Sequence, residues 1–169
     1  MVTQSNVEPR LRPWQAEDLP ALQALFGDAD SVRWLGPGQP LTELECQFWL
    51  SSQLNGKAEW ALQAITQGDE VVGFAGLLPG PSGSELLMAL LPAYRRQGLA
   101  KAALNQLLQS RLTTLVGTPV MASVADANQA GLALLKACGF APVAGAEGGW
   151  QRFCFRQEID QAEPVAESA

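Results

Sequence analysis

Apolar and polar positions along the 169-residue chain switch between a helical period and a strand period. Residues 7–11 alternate weakly and run into Pro13, which predicts a first strand. Over residues 19–26 the period lengthens: Leu19, Leu22, Leu25 and Phe26 recur at helical spacing, and Gly27 stops the run. Residues 36–40 are rich in Gly and Pro and form a turn. Thr42 then caps a second helix with Glu45 three residues on, a capping box, and Leu44, Phe48 and Leu50 fall on or near one face. Residues 60–66 and 71–78 are strands flanking Gln67-Gly68-Asp69-Glu70, a hairpin signal. Residues 79–84 are a Gly/Pro/Ser loop, and residues 85–91 a further strand ended by Pro92. The strongest helical pattern covers residues 99–116, where Leu104, Leu107, Leu108, Leu112 and Leu115 make an apolar stripe. A short strand at 120–124, a helix at 127–138 stopped by Gly139, and strands at 140–143 and 151–157 complete the order. Strands and helices in this succession predict a single α/β (α+β) domain over residues 1–160 built on a mixed sheet. The small, acidic segment 161–169 is expected to be a flexible tail.

Composition narrows the chemistry. Apolar residues make up 47% and charged residues 17%, enough for a packed core and too apolar for disorder. Net charge is −6, which argues against a nucleic-acid footprint and mildly favours cationic acceptors such as amines. No apolar run reaches the roughly 20 residues of a membrane span, and residues 1–12 lack a signal-like apolar core, so a cytoplasmic protein is expected. Cys46, Cys138 and Cys154 are odd in number and lack metal-ligand spacing, and read as packed, reduced thiols. The chain contains no histidine. Ser-His-Asp and Cys-His catalysis are thereby excluded, as are His-ligated metals. Proton transfer falls to carboxylates, water, Tyr94, a thiol or a lysine.

The informative unit is the strand at 85–91, the loop Arg95-Arg96-Gln97-Gly98 and the helix opening at Leu99-Ala100. Gly98 permits backbone angles and close approaches closed to other residues, and Ala100 is small. The first helical turn has amides without internal partners and the positive end of the helix dipole, an anion site suited to a pyrophosphate. Arg95 and Arg96 add charge and donors. A tight strand-to-helix turn with solvated arginines would look the same in isolation.

Arg95-x-x-Gly98-x-Ala100 resembles the coenzyme A pyrophosphate loop of the GNAT superfamily of N-acetyltransferases. Asn128-Gln129-Ala130-Gly131 and Lys136-Ala137-Cys138-Gly139-Phe140 resemble that family's Asn-bearing helix start and its Gly-Phe exit. Val72-Gly73-Phe74-Ala75-Gly76 is similar to the end of its third strand. Leu11-Arg12-Pro13-Trp14, Asp18-Leu19 and Val32-Arg33-Trp34-Leu35 resemble the branch containing the ribosomal-protein N-terminal acetyltransferases. The resemblance spans residues 7–157. It implies a sheet splayed in a V between strands 4 and 5, flanked by about four helices, with acyl-CoA in the V and no metal. It places the pyrophosphate on the amides of Arg96, Gln97, Gly98, Leu99 and Ala100, and pantetheine along the backbone of Met88, Ala89 and Leu90. Asn128 would contact pantetheine or its water shell; it would equally serve as a helix N-cap, and the two roles are compatible.

Attack on a thioester requires a neutral amine, so a base must remove a proton from an ammonium of pKa ~10. Glu85, opening the central strand, is the candidate general base; its bland alternative is an exposed strand-end carboxylate, and Asp126 and Glu59 stand in reserve. The tyrosine that many family members use to protonate the leaving thiolate is replaced here by Leu135. Cys138 has no activating histidine, so direct transfer in a ternary complex is expected. Of the five tryptophans, Trp34 and Trp150 are candidates for an acceptor pocket, and Trp14, Trp49 and Trp60 read mainly as core. The expected reaction is transfer of acetyl from acetyl-CoA to a primary amine, either a small molecule or a protein N-terminus. A non-catalytic acyl-CoA-binding module is the alternative. A homodimer is compatible with this architecture.

Overall fold

Strand pairing assembles one seven-stranded sheet in the computed structural model, which describes residues 7–35, 38–56, 62–111, 117–145 and 147–156. The strands are β1 (Arg10–Pro13), β2 (Gln63–Gln67), β3 (Glu70–Gly80), β4 (Gly83–Leu90), β5 (Val120–Ala125), β6 (Ala141–Val143) and β7 (Trp150–Phe155). Their spatial order is β1-β2-β3-β4-β5-β7-β6, and every neighbouring pair is antiparallel except β4–β5. The helices are α1 (Leu19–Phe26), α2 (Ala29–Val32), α3 (Glu43–Asn55), α4 (Leu99–Arg111) and α5 (Gln129–Ala137). This is the mixed α+β architecture expected from the order of periods.

Two apolar clusters cover the two faces of the sheet. On one face Leu99, Ala103, Leu104, Leu107 and Leu108 of α4 and Leu132 and Leu135 of α5 pack on Val72, Leu90, Val120, Ala122, Val124 and Phe153. On the other, Leu22, Leu25 and Phe26 of α1 and Cys46 and Leu50 of α3 pack on Ala64 and Phe74. Phe74 stacks on Phe26 at 5.2 Å and lies 6.3 Å from Trp49, whose ring also meets Trp14 edge-on at 5.4 Å. Trp14 and Trp49 are thus core residues, as expected; Trp60 and the outer stripe positions Leu112 and Leu115 lie outside the described residues.

Several boundaries differ from the sequence reading. The first strand begins at Arg10 instead of residue 7, and includes Pro13. The loop expected over 79–84 shrinks to the two-residue turn Pro81-Ser82, because β3 continues to Gly80. Pro79 is tolerated in β3 because β2 pairs with β3 only as far as Ala75, so no ladder requires its missing N–H. The helix α3 turns its Cys46–Leu50 side to the core and leaves Leu44 and Phe48 about 60% and 69% exposed, against the expectation that both belong to its buried face. Its capping box forms as read: Thr42 Oγ1 accepts from the Glu45 amide at 3.3 Å and Glu45 accepts from the Thr42 amide at 2.7 Å. The short helix α2, capped by Asp28, carries no periodic signal at four residues and went unread.

A part-buried ion pair locks the turn from β1 into α1. Arg12 donates both terminal nitrogens to Asp18, at 2.7 and 2.8 Å, and the Gln15 amide donates to the same carboxylate at 2.8 Å. Arg12's hydrogen bonds hold the Asp18 carboxyl below its ordinary value, against an opposing push from burial. A depressed carboxyl stabilises the fold fully above the unfolded value of ~3.9 and ceases to do so as pH falls through the lower folded value. Urea midpoints measured from about pH 6 down to about pH 2 are therefore expected to drop more steeply in the parent than in Asp18→Asn, which is less stable at neutral pH but lacks this acid limb.

Candidate active site

Strands β4 and β5 touch only at their N-terminal ends. Ser84 pairs with Val120 and Glu85 with Met121, and no pairing follows among the described residues, although β4 stays in register with β3 as far as Leu90 opposite Gly73. The sheet therefore opens into a V whose closed end is Glu85–Met121. Backbone direction along β4 follows from its bonded ends: the Ser84 amide donates to Pro119 beside β5, whereas the Leu91 amide donates to Val72 of β3. Since direction alternates, Leu86, Met88 and Leu90 turn their amides and carbonyls into the V. Ala89 turns its own toward β3 at Phe74. Of Met88, Ala89 and Leu90, the first and last face the V, where the Leu90 carbonyl accepts from Arg95, and Leu86 joins them.

At the open end, a single 3₁₀ turn (Pro92–Tyr94) leads into the loop. Arg96 and Gly98 both adopt positive φ, 62° and 79°. A Cβ on Gly98 would meet nothing within 4 Å, so glycine is needed there for backbone angle and not for space. The first hydrogen bond of α4 runs from the Ala102 amide to the Gly98 carbonyl at 3.1 Å. The amides of Leu99, Ala100 and Lys101 thus precede the helical ladder, and Lys101 adds a cation unread in the sequence. Leu99 is buried and Ala100 packs on the core, whereas Arg96, Gln97 and Gly98 are exposed.

The two arginines differ in role. Arg95 donates Nε to the Leu90 carbonyl at 3.1 Å and Nη2 to the Asp30 carbonyl at 3.3 Å, tying the loop to the end of β4 and to α2. Its guanidinium thereby anchors the backbone of the loop, and the side chains of both Arg95 and Arg96 are exposed. Gln97 Nε2 donates to the Ala93 carbonyl at 3.1 Å. Tyr94 donates its hydroxyl to Glu70 of the β2–β3 hairpin, a bond that pushes the phenol above its ordinary value with burial adding to it. The phenol is fixed to the hairpin and unsuited to delivering a proton inside the V.

Across the V, Asn128 caps α5 directly after β5: its Oδ1 accepts from the Gly131 amide at 3.0 Å. Leu135 is 2% exposed in the core, so the family's tyrosine position is filled by a packed aliphatic side chain. Cys46, Cys138 and Cys154 are unpaired and buried, and burial pushes the Cys138 thiol up, opposed by Lys101. This removes Cys138 further from nucleophilic chemistry.

The closed end carries the polar cluster. Leu87 and Ala89 of β4 and Leu91 directly after it pack toward α1 and α3, and Glu85 lies on that same face. Its side chain passes over Gly80, where an added Cβ would sit 2.7 Å from Glu85 Cγ. Arg152 of β7 reaches across β5 and donates Nη2 to Glu85 Oε1 at 2.6 Å and Nη1 to Ser123 Oγ at 2.8 Å. Both charged side chains are half-buried. Arg152 and Ser123 were not read from the sequence; they lie 67 and 38 positions from Glu85 and meet it only through strand register. Asp126 accepts from Gln151 at 2.8 Å at the far end of β5, and Glu59 lies outside the described residues. Trp34 is half-buried beneath Arg33, 5.6 Å from its ring centre, and Trp150 is exposed at the start of β7; no ring contact joins them among the described residues. A surface depression of about 500 Å³ lined by Arg10, Leu11, Gln63 and Gln106 lies at β1, three strands away from the V, and contains none of the candidate residues. The described residues contain no cluster suited to a metal ion and no helix long and apolar enough to cross a membrane.

A mixed sheet opened at its parallel pair, with a glycine loop and a helix start across the mouth of the opening, defines the architecture of an N-acetyltransferase. The sequence matches the acetyltransferase (GNAT) domain over residues 10–141, and the chain belongs to that family. Its fold is similar to that of spermidine N-acetyltransferase from Vibrio cholerae, solved with CoA and spermine: 16% identity, TM-score 0.73, covering 88% of this chain and 95% of that one. A ribosomal-protein-alanine N-acetyltransferase from Brucella melitensis is 21% identical, with TM-score 0.67 over 86% of this chain and 98% of that one. An acetyltransferase from Agrobacterium tumefaciens is 22% identical, with TM-score 0.71 over 88% and 91%. None of the curated proteins matches the sequence.

Proposed function

We propose that the protein transfers acetyl from acetyl-CoA to a primary amine by direct attack in a ternary complex. The observation that carries this is the V: β4 backbone facing the opening at Leu86, Met88 and the Leu90 amide leads from the positive-φ loop at Arg96 and Gly98 to a half-buried carboxylate, Glu85. Along this path the loop amides and those of Leu99 to Lys101 bind the pyrophosphate, and the β4 groups pair with pantetheine. An amide aimed into the V polarises the thioester carbonyl as negative charge develops on its oxygen. Glu85 retains Oε2 without a partner among the described residues, and this atom takes the proton from the attacking ammonium. Asn128, engaged as a cap, orients the β5 side of the cleft. No side-chain acid is at hand where Leu135 stands, so the departing thiolate leaves as such and is protonated by water.

CoA release followed with a thiol-reactive dye across an amine panel tests the reading. Tight acetyl-CoA binding with no release above background for any amine would replace it with an acyl-CoA-binding module, a reading favoured by the buried Leu135. Gly98→Val introduces a branched side chain at a φ of 79° without a steric clash. Strain of that kind amounts to ~1–3 kcal/mol; a free loop that relaxes to escape it must regain it on binding, so acetyl-CoA affinity by calorimetry is expected to weaken roughly tenfold to a hundredfold. The acetyl donor, a cytoplasmic setting and a single domain belong to the same proposal; the tail expected over 161–169 lies outside the described residues.

A further inference from the structure

The polar cluster at the closed end of the V holds more capacity than a single base requires. Arg152 has five N–H donors, of which Glu85 and Ser123 take one each. Its other donors and Glu85 Oε2 have no partner among the described residues, and both side chains are about a quarter exposed, 23% and 29%. The cluster is therefore an oriented pair of opposite charges with one unfilled side on each, fixed by Ser123 beneath the guanidinium and by the room that Gly80 leaves over β3.

Such a pair discriminates among amines. An alkyl ammonium or a polyamine brought to Glu85 is placed beside the Arg152 guanidinium and repelled by it, in a site partly withdrawn from water. An acceptor with a carboxylate one carbon from its ammonium meets the pair head to tail. Its ammonium approaches Glu85, and its carboxylate takes the remaining Arg152 donors, the planar arrangement for which guanidinium is suited. We propose that the Glu85–Arg152 pair is a charge clamp for a small zwitterion and that the acceptor is an α-amino acid or a close analogue. Arg152 is then a specificity-determining residue of the reaction. The inference rests on the acyl-transfer reading above and adds the acceptor's chemical class.

The test uses matched triplets of the proteinogenic amino acids, their carboxamides and their decarboxylated amines, with CoA release as the signal and the folded state checked by circular dichroism. The parent is expected to favour at least one free acid over its amide and amine. Arg152→Gln is expected to raise KM for that acid roughly tenfold to a hundredfold, the cost of a lost charged hydrogen bond, while the amide's KM falls as the repulsion of its ammonium is relieved. Arg152→Lys restores part of the preference. Equal or better use of amides and decarboxylated amines by the parent would overturn the clamp while leaving acyl transfer intact, as would an Arg152→Gln effect equal for acid and amide. If no triplet releases CoA, acyl transfer to this acceptor class fails, and calorimetric titration of the same compounds into the CoA-loaded protein decides the clamp separately. Binding of acids but not amides, lost in Arg152→Gln, supports it; no binding, or equal binding of both, overturns it.

Discussion

Replacing Glu85 with glutamine is expected to lower kcat by about 10²–10⁴-fold, the usual contribution of a positioned general base. The substitution keeps the shape of the side chain and an oxygen that accepts from Arg152, and removes the negative charge together with the capacity to take a proton. Acetyl-CoA binding, held by the loop and by the β4 backbone, should remain at the parent value. Steady-state CoA release beside calorimetric acetyl-CoA titration separates the two quantities. A fall in kcat of less than about tenfold with unchanged binding would remove Glu85 from the chemistry and leave it as the partner of Arg152. Glu85→Ala is a harsher variant, because it also removes the oxygen that accepts from Arg152 and leaves that donor unfilled.

Truncation of Phe74 to alanine is expected to reduce stability by about 3–5 kcal/mol, the range for emptying a fully buried aromatic site. Phe74 has no exposed surface and is enclosed by Phe26 and Trp49. The stack gives the cavity rigid aromatic walls, which collapse poorly, so the upper part of the range is expected. Guanidinium unfolding with an unchanged m-value would establish a loss of packing, and not a change in the unfolded chain. The effect should also reach the site, because Phe74 pairs with Ala89 on the strand that forms one arm of the V.

The failures of the sequence reading share one origin. In α3, periodicity marks Leu44, Phe48 and Leu50 together, yet the packing of α1 against α3 sets the buried side at Cys46 and Leu50. A weakly amphipathic helix cannot choose its own rotation, and the neighbour that chooses it is invisible in sequence. In the loop, two adjacent arginines look alike in charge and donors. Only the position of the Leu90 and Asp30 carbonyls engages Arg95 as an anchor, although both side chains are exposed. The loop over 79–84 read as a break because Pro and Gly end most strands. Here β3 has already lost its β2 neighbour beyond Ala75, and a proline costs no ladder bond.

What the sequence determined by itself was whatever depends on local spacing: the order of strands and helices, the Thr42 capping box, the Gly98 turn into α4, the Asn128 cap and the exclusion of histidine chemistry. These arise from neighbours a few residues apart, where propensity and hydrogen-bond reach operate without the rest of the molecule. The tertiary structure alone decided where the sheet opens, which β4 residues face the opening, and that Arg152 and Ser123 meet Glu85. Each of these depends on register between strands far apart in the chain, and register is set by how two buried faces fit together.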